Sequence, residues 1–208
     1  MERAAIVLAG GFSKRFGQDK GLVSLAGKLL VAHVLERISE AVDEILVVVS
    51  SESQKTAYSL VVPNGNRIFV DDENVRSPLV GALTGFSNTR AQYSLLLPCD
   101  TPFVSRNVVE LLFETCAGVD AAVPRWPNDY IEPLQAVYRT GSALEATKQT
   151  LGREEMRPLN MIRLLRRVRY LSTLVIQQLD PQLTTFFNVN TPLDLAKAEK
   201  MLKKGTAP

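Results

Sequence analysis

Three features of the 208-residue sequence predict an α/β fold with a doubly wound, mostly parallel sheet and helices on both faces. Short aliphatic runs alternate with stretches of helical apolar spacing over most of the chain. The strand runs are continuously apolar, as strands buried on both faces require. The most unusual loops follow predicted strands, where the carboxyl ends of parallel strands gather ligand-binding segments.

The elements follow in order. Residues 4–8 form a first buried strand that runs into Gly10-Gly11. Residues 30–41 carry Val31, Val34, Leu35 and Ile38 at helical spacing. Residues 45–49 are a buried parallel strand, 51–60 a weaker helix, and 67–70 a short strand that stops at Asp71-Asp72. Ser77-Pro78 reads as an N-cap with proline at the first helical position, opening a helix to about residue 87. Residues 93–97 form another buried strand, ended by Pro98. Ser105 is expected to cap a helix carrying Val108, Val109, Leu111 and Leu112. Residues 121–123 and 134–138 read as strands. Thr191-Pro192 caps a last helix to about residue 203, and residues 205–208 are expected to be a frayed tail.

Composition bounds the function. The chain is 46% hydrophobic and 22% charged, with a formal net charge of +2. That is ordinary for a globular protein and too weakly basic to indicate a nucleic-acid partner. No stretch approaches membrane-spanning length. Cys99 and Cys116 are the only cysteines and form no C-x-x-C pair. Neither zinc nor a disulfide framework is indicated, and a reducing cytoplasm is expected. The length suits one domain over residues 1–208.

The first loop reads Leu8-Ala9-Gly10-Gly11-Phe12-Ser13-Lys14-Arg15-Phe16-Gly17-Gln18-Asp19-Lys20. Paired glycines after a buried strand allow close approach to the backbone, and consecutive N–H groups there form an anion-binding concavity. Ser13 adds a hydroxyl, and Arg15 and Lys20 add charge suited to a polyphosphate. The loop lacks the Gly-Lys-Ser/Thr of a Walker A motif and the spacing of G-x-G-x-x-G. The plainer alternative is a tight turn with solvated basic residues. Asp100, in Pro98-Cys99-Asp100-Thr101-Pro102, is well placed to hold magnesium beside phosphate oxygens. It could also simply cap its own turn.

The loop resembles the L-A-G-G-x-S-x-R-x-G-x-D-K signature of the nucleotidyltransferase superfamily, and more narrowly that of the molybdenum cofactor guanylyltransferases. P-C-D-T-P, Glu132-Pro133-Leu134-Gln135-Ala136-Val137-Tyr138 and Phe187-Asn188-Val189-Asn190-Thr191-Pro192 resemble further segments of that family. The likeness spans nearly the whole chain and implies a single nucleotide-diphospho-sugar transferase-like domain. It implies that Leu8, Ala9, Gly10, Gly11, Ser13 and Lys20 hold the nucleotide, with Asp100 on nucleotide and magnesium. Asp72, rather than Asp71, takes the contact at the third strand end. Asn190 joins Asp100 on the metal; the plainer alternative is that Asn190 and Thr191 cap the last helix, and both hold if Asn190 faces the site and Thr191 the helix. Asp100, Lys20 and Arg15 carry the catalysis. The implied partners are GTP and molybdopterin or molybdenum-molybdopterin, with room for transient contact with cofactor-delivery proteins. Ser50 departs from the pattern, where the family has an asparagine touching the nucleotide.

The implied reaction is GMP transfer to the pterin phosphate with release of pyrophosphate. The alternatives are transfer to cobinamide phosphate, a sugar phosphate or a CTP-dependent pterin, a nucleotide-sugar glycosyltransferase, and a nucleotide-binding regulator without catalysis. Asp100-Thr101-Pro102 lacks the Asp-x-Asp usual in such glycosyltransferases. Retention of both Lys20 and Asp100 argues against the regulator. The arginines at 153, 157, 163, 166, 167 and 169 read first as a solvated helix face and second as an anion site. His33 reads as structural, and Trp126 as either a loop anchor or an acceptor contact.

Overall fold

The computed structural model describes residues 2–13, 15–71 and 77–204. One sheet holds seven strands: β1 (Arg3–Leu8), β2 (Glu44–Val49), β3 (Arg67–Val70), β4 (Tyr93–Pro98), β5 (Ala121–Arg125), β6 (Ala136–Arg139) and β7 (Val168–Ser172). Their order across the sheet is β7-β5-β6-β4-β1-β2-β3. All neighbours are parallel except β6, which runs antiparallel to β4 and β5.

Helices cover both faces. On one side lie α1 (Leu30–Ile38), α2 (Glu52–Ser59) and α4 (Arg106–Cys116). On the other lie α3 (Pro78–Asn88), α5 (Thr140–Gly152) and α6 (Pro158–Leu164). The one-turn helix α7 (Thr173–Ile176) follows β7, and α8 (Pro192–Lys203) ends the chain's regular structure. The continuous apolar strands serve this sandwich directly: in β1, Ala5 and Val7 face the α1–α4 layer while Ile6 faces α3. Gly85 lets α3 lie close on β1, since a Cβ there would stand 2.3 Å from Ile6 Cγ2. A third cluster joins Val23, Leu25, Leu30, Phe103, Val189 and Ala198, which seats α8 beside the main layers.

Strand order reverses between β1 and β4. The chain leaves β1 outward to β2 and β3, then returns to β4 on the other flank. The carboxyl ends of β1 and β4 therefore border a crevice at the switch point, where open α/β sheets bind ligands.

Several local expectations change. The strand expected at 134–138 begins at Ala136, because residues 132–135 make a turn in which the Gln135 N–H donates to the Glu132 carbonyl at 3.2 Å. The first helix stops at Ile38 instead of residue 41, although the Ala41 N–H still bonds the Ile38 carbonyl. Ser105 precedes α4 but its side chain makes no cap bond; its backbone N–H instead donates to Thr185 Oγ1 at 3.1 Å. The arginine-rich stretch is not one helix face. Gly152 ends α5 and Pro158 starts α6, so Arg153 and Arg157 sit between helices, Arg163 lies on α6 and Arg169 on β7. Ser77 and Thr191 do cap α3 and α8, accepting from the N–H of Leu79 and Asp194.

Candidate active site

The switch-point crevice is a cleft of about 450 Å³. Leu8, Gly10, Gly11 and Lys20 line it from the first loop, Val48 and Ser50 from the end of β2, and Asp71 from the end of β3. Ser77, Pro78 and Gly81 at the start of α3 and Pro98, Cys99 and Asp100 at the end of β4 close it, with Leu134 beyond. The amino end of α3 thus borders the cleft and contributes partial positive charge suited to an anion.

Gly10 is required by contact: a Cβ would lie 2.0 Å from Ser50 Oγ, whose hydroxyl donates to the Gly10 carbonyl at 2.9 Å. Ala9 is buried behind the cleft; its N–H donates to Val48 O at 2.7 Å and its carbonyl accepts from the Tyr58 hydroxyl at 3.3 Å. Burial pushes the Tyr58 phenol upward from its ordinary range, so it stays a neutral donor. Burial likewise raises the Cys99 thiol, with the neighbouring Asp100 carboxylate adding to it. That thiol is therefore an inert wall rather than a nucleophile.

The chemistry concentrates on three side chains. Lys20 Nζ donates to Asp100 Oδ2 at 2.5 Å and to Asn190 Oδ1 at 2.5 Å. Asp100 is only 6% exposed, and among the described residues its Oδ1 is buried with no hydrogen-bond partner. Two oxygens from elements 90 positions apart thus converge on one cation, with a third oxygen still available.

The scaffold explains that convergence. The Thr101 hydroxyl donates to the Pro98 carbonyl at 2.9 Å, fixing the Asp100 turn. The Val189 N–H donates to the Asp100 carbonyl at 2.9 Å, which brings Asn190 alongside. Asp180 supports this approach by accepting from the Thr185 N–H at 2.7 Å and the Thr184 hydroxyl at 3.1 Å. Asp194 completes the far side, accepting from the Asn190 N–H at 3.2 Å and the Thr191 hydroxyl at 2.8 Å. That hydroxyl is the main reason the Asp194 carboxyl is held below the usual carboxylate range.

Leu8, Gly10, Gly11, Lys20 and Asp100 line the cleft, and Asn190 meets them through Lys20. Ser13 is buried in a small hairpin, where its carbonyl accepts from the Gly17 N–H at 2.9 Å. Arg15 stands exposed on the turn of that hairpin, outside the cleft wall. Asp72 falls outside the described residues. Asp71, the second choice by sequence, lines the cleft 3.4 Å from Ser50 Oγ. Cys99, Ser77 and Leu134 are wall residues that sequence reasoning did not assign to the nucleotide site.

A second cleft, of about 510 Å³, is bordered by Ile131 and Pro133. Arg125, Arg157, Tyr130 and Tyr170 line it. Trp126 is an anchor of the intervening loop: its indole N–H donates to Glu132 Oε1 at 2.8 Å and its ring meets Phe186 edge-on at 5.5 Å. His33 bonds the Leu25 carbonyl at 3.0 Å, a structural role, and burial lowers its pKa.

The MobA-like NTP transferase domain matches residues 5–168. The chain belongs to that family. It is similar to a probable molybdenum cofactor guanylyltransferase of Methanosarcina acetivorans, at 37% identity over 93% of this chain and 88% of the relative. A probable enzyme of the same description from Natronomonas pharaonis is 32% identical over 97% of this chain and 98% of its own length. Among solved structures, the molybdopterin-guanine dinucleotide biosynthesis protein A of Archaeoglobus fulgidus superposes with a TM-score of 0.83 at 30% identity, covering 97% of this chain and 99% of that one. The 4-diphosphocytidyl-2C-methyl-D-erythritol synthase of Anaerococcus prevotii shares the fold, with a TM-score of 0.73, 12% identity and coverage of 97% and 96%. Fold and family are thus those of nucleotidyltransferases.

Proposed function

We propose that this chain transfers GMP from GTP to the phosphate of molybdopterin, or of its molybdenum form, giving the guanine dinucleotide cofactor and pyrophosphate. The observation that carries the chemistry is the Lys20–Asp100–Asn190 cluster at the mouth of the glycine loop. The guanine and the pterin are supported by the relatives' names, over nearly the full chain length.

Magnesium is the cofactor this reading requires, and the residues fit it. Asp100 and Asn190 supply a carboxylate and an amide oxygen, hard ligands of the kind magnesium takes, and Asp100 Oδ1 is an unpartnered buried acceptor among the described residues. No cluster of three or more His, Cys, Asp or Glu occurs among the described residues. The rest of the shell would then be phosphate oxygens and water, which is usual for this ion. Bound there, magnesium would offset charge on the triphosphate and its pyrophosphate product.

The protein's own part is positioning and charge. The backbone at Gly10 and Gly11 and the amino end of α3 receive the nucleotide, and the close Gly10–Ser50 contact sets the width of that wall. Lys20 lies within reach of a phosphate bound at Asp100 and neutralises charge as the attacking acceptor phosphate meets the α-phosphorus in line. Arg15, exposed on its hairpin, would have to swing inward to join it. Asp71 and Ser50 face the base or ribose side. The acceptor would lie past Asp100, toward Leu134.

Among the described residues no helix is long and apolar enough to cross a membrane. Two buried free cysteines fit action in a reducing cytoplasm. The test uses GTP labelled at the α-phosphate, magnesium and molybdopterin. Label should move into a product with the mass of the pterin–guanine dinucleotide. Label that leaves only as free GMP would overturn the transferase assignment.

A further inference from the structure

The loop that carries Lys20 is anchored by apolar contact through Ala9 in the core and Phe16 against the α8 cluster, and much of the rest is open. Gly11, Arg15, Gly17 and Gln18 are exposed, and Gly10 is only partly buried. Polar bonds also tie it to one segment, Ser50 to Gln54, which runs from the end of β2 into the first turn of α2.

At the start of the loop, the Ser50 hydroxyl donates to the Gly10 carbonyl at 2.9 Å. At its end, Gln54 Nε2 donates to Asp19 Oδ1 at 2.8 Å. The same amide holds Ser50, since Gln54 Oε1 accepts from the Ser50 N–H at 2.7 Å. Within the loop, the Lys20 N–H donates to the Gly11 carbonyl at 3.2 Å. Both halves of the Gln54 amide are therefore used, Nε2 on Asp19 of the loop and Oε1 on Ser50 of the cleft wall. Asp19 directly precedes the lysine whose ammonium spans Asp100 and Asn190.

We propose that Gln54 is a positioning residue of the nucleotide site, which fixes Lys20 relative to the Ser50–Asp71 wall by bridging Asp19 to the Ser50 backbone. This rests on the nucleotidyltransferase reading. Gln54 touches no reacting atom; it acts through Asp19 and Lys20. Only an amide with both ends engaged does this. A leucine fills similar space without either bond, and a glutamate keeps the bond to Ser50 but sets a carboxylate against the Asp19 carboxylate. The Oε1 half also serves α2, because with the Ser51 hydroxyl accepting from the Gln54 N–H at 3.2 Å it makes a reciprocal cap at the helix's amino end; the bond from Nε2 to Asp19 is the part that α2 does not need.

The test measures MgGTP affinity by calorimetry on the full chain, with thermal unfolding in parallel. Gln54→Leu is expected to weaken MgGTP about tenfold, the scale of a lost hydrogen bond to a charged group. In a Lys20→Ala background the same change should have little further effect, because the group it positions is gone. Gln54→Glu should weaken binding more than Gln54→Leu. Adding Asp19→Asn to Gln54→Glu should restore most of the loss, since an amide can again donate across the gap.

Equal Gln54→Leu effects with and without Lys20, or no recovery by Asp19→Asn, would overturn the proposal. If a Gln54→Leu chain unfolds too readily to titrate, the Gln54→Glu and Asp19→Asn pair decides it alone. A parent chain that binds no MgGTP removes the nucleotide reading and this proposal together. A parent that binds while the variants behave additively removes this proposal only.

Discussion

Replacing Lys20 by methionine isolates the charge at the centre of the site. The ammonium donates at 2.5 Å to both Asp100 Oδ2 and Asn190 Oδ1, while Asp100 Oδ1 has no partner among the described residues. In Lys20→Met, Asp100 keeps a carboxylate whose side chain is 9% exposed but loses its one ion-pair partner among the described residues. Breaking one side of a buried pair costs about 3–5 kcal/mol. The lysine side chain retains 25% exposure, so water screens part of this. The expected loss is about 2–3 kcal/mol without ligand. In a chain of this size that lowers Tm by about 4–12 °C. Differential scanning calorimetry without magnesium or nucleotide measures it. Because the cost lies in the stranded charge, adding Asp100→Asn to Lys20→Met should regain more than half of the loss. A Lys20→Met chain melting within about 2 °C of the parent would refute the reasoning, as would a double variant less stable than the single.

Other perturbations test other parts of the structure. Gly85→Ala forces a methyl against Ile6, so the variant should lose about 1–3 kcal/mol in urea unfolding despite alanine's better helix propensity. Gly10→Ala displaces the Ser50 hydroxyl and should weaken MgGTP about tenfold or more in calorimetry, with Tm changed far less. Asp100→Asn should lower the rate of pyrophosphate release by about a hundredfold or more, read in a coupled assay. Asp120 supplies a pH signature. Burial alone would raise its carboxyl, but the Ser142 hydroxyl and the N–H groups of Arg167 and Arg166 outweigh this and hold it low. A depressed folded-state pKa gives stability that is complete above the ordinary carboxylate value of about 3.9 and lost as pH falls below it. Asp120→Asn should therefore be less stable at pH 7 and show a shallower loss of Tm on acidification from about pH 5 to pH 3.

The fold was legible where burial is apolar and continuous. β1, β2 and β4 declare themselves through unbroken apolar runs at residues 4–8, 45–49 and 95–97, all but Leu8 of them buried. α5 gave no such signal: its inner face is built from Thr140, Ala143, Ala146, Thr147 and Thr150, with Thr147 and Thr150 hydroxyls bonded to carbonyls four residues earlier. Small and hydroxylated residues leave no apolar period to read. β7 was hidden for the opposite reason, as an edge strand with Arg169 and Tyr170 exposed. The site followed the same logic. Gly10, Gly11, Lys20 and Asp100 stand at strand ends, where local sequence announces a loop. Lys20 and Asn190 meet only through the tertiary bond from Val189 to Asp100, and the contact became visible only with the fold. Gln54 lies in a polar helix with nothing in its spacing to single it out.

Base choice by the cleft is the most direct measure of the central claim, because the proposed nucleotide cleft is lined on one side by Ser50 and Asp71. Pyrophosphate release should be followed with magnesium and molybdopterin while GTP, CTP and ATP compete at equal concentration. The account predicts that GTP is consumed in preference and that release stops when molybdopterin is left out. Preferential use of CTP or ATP, or release that does not depend on molybdopterin, would contradict it.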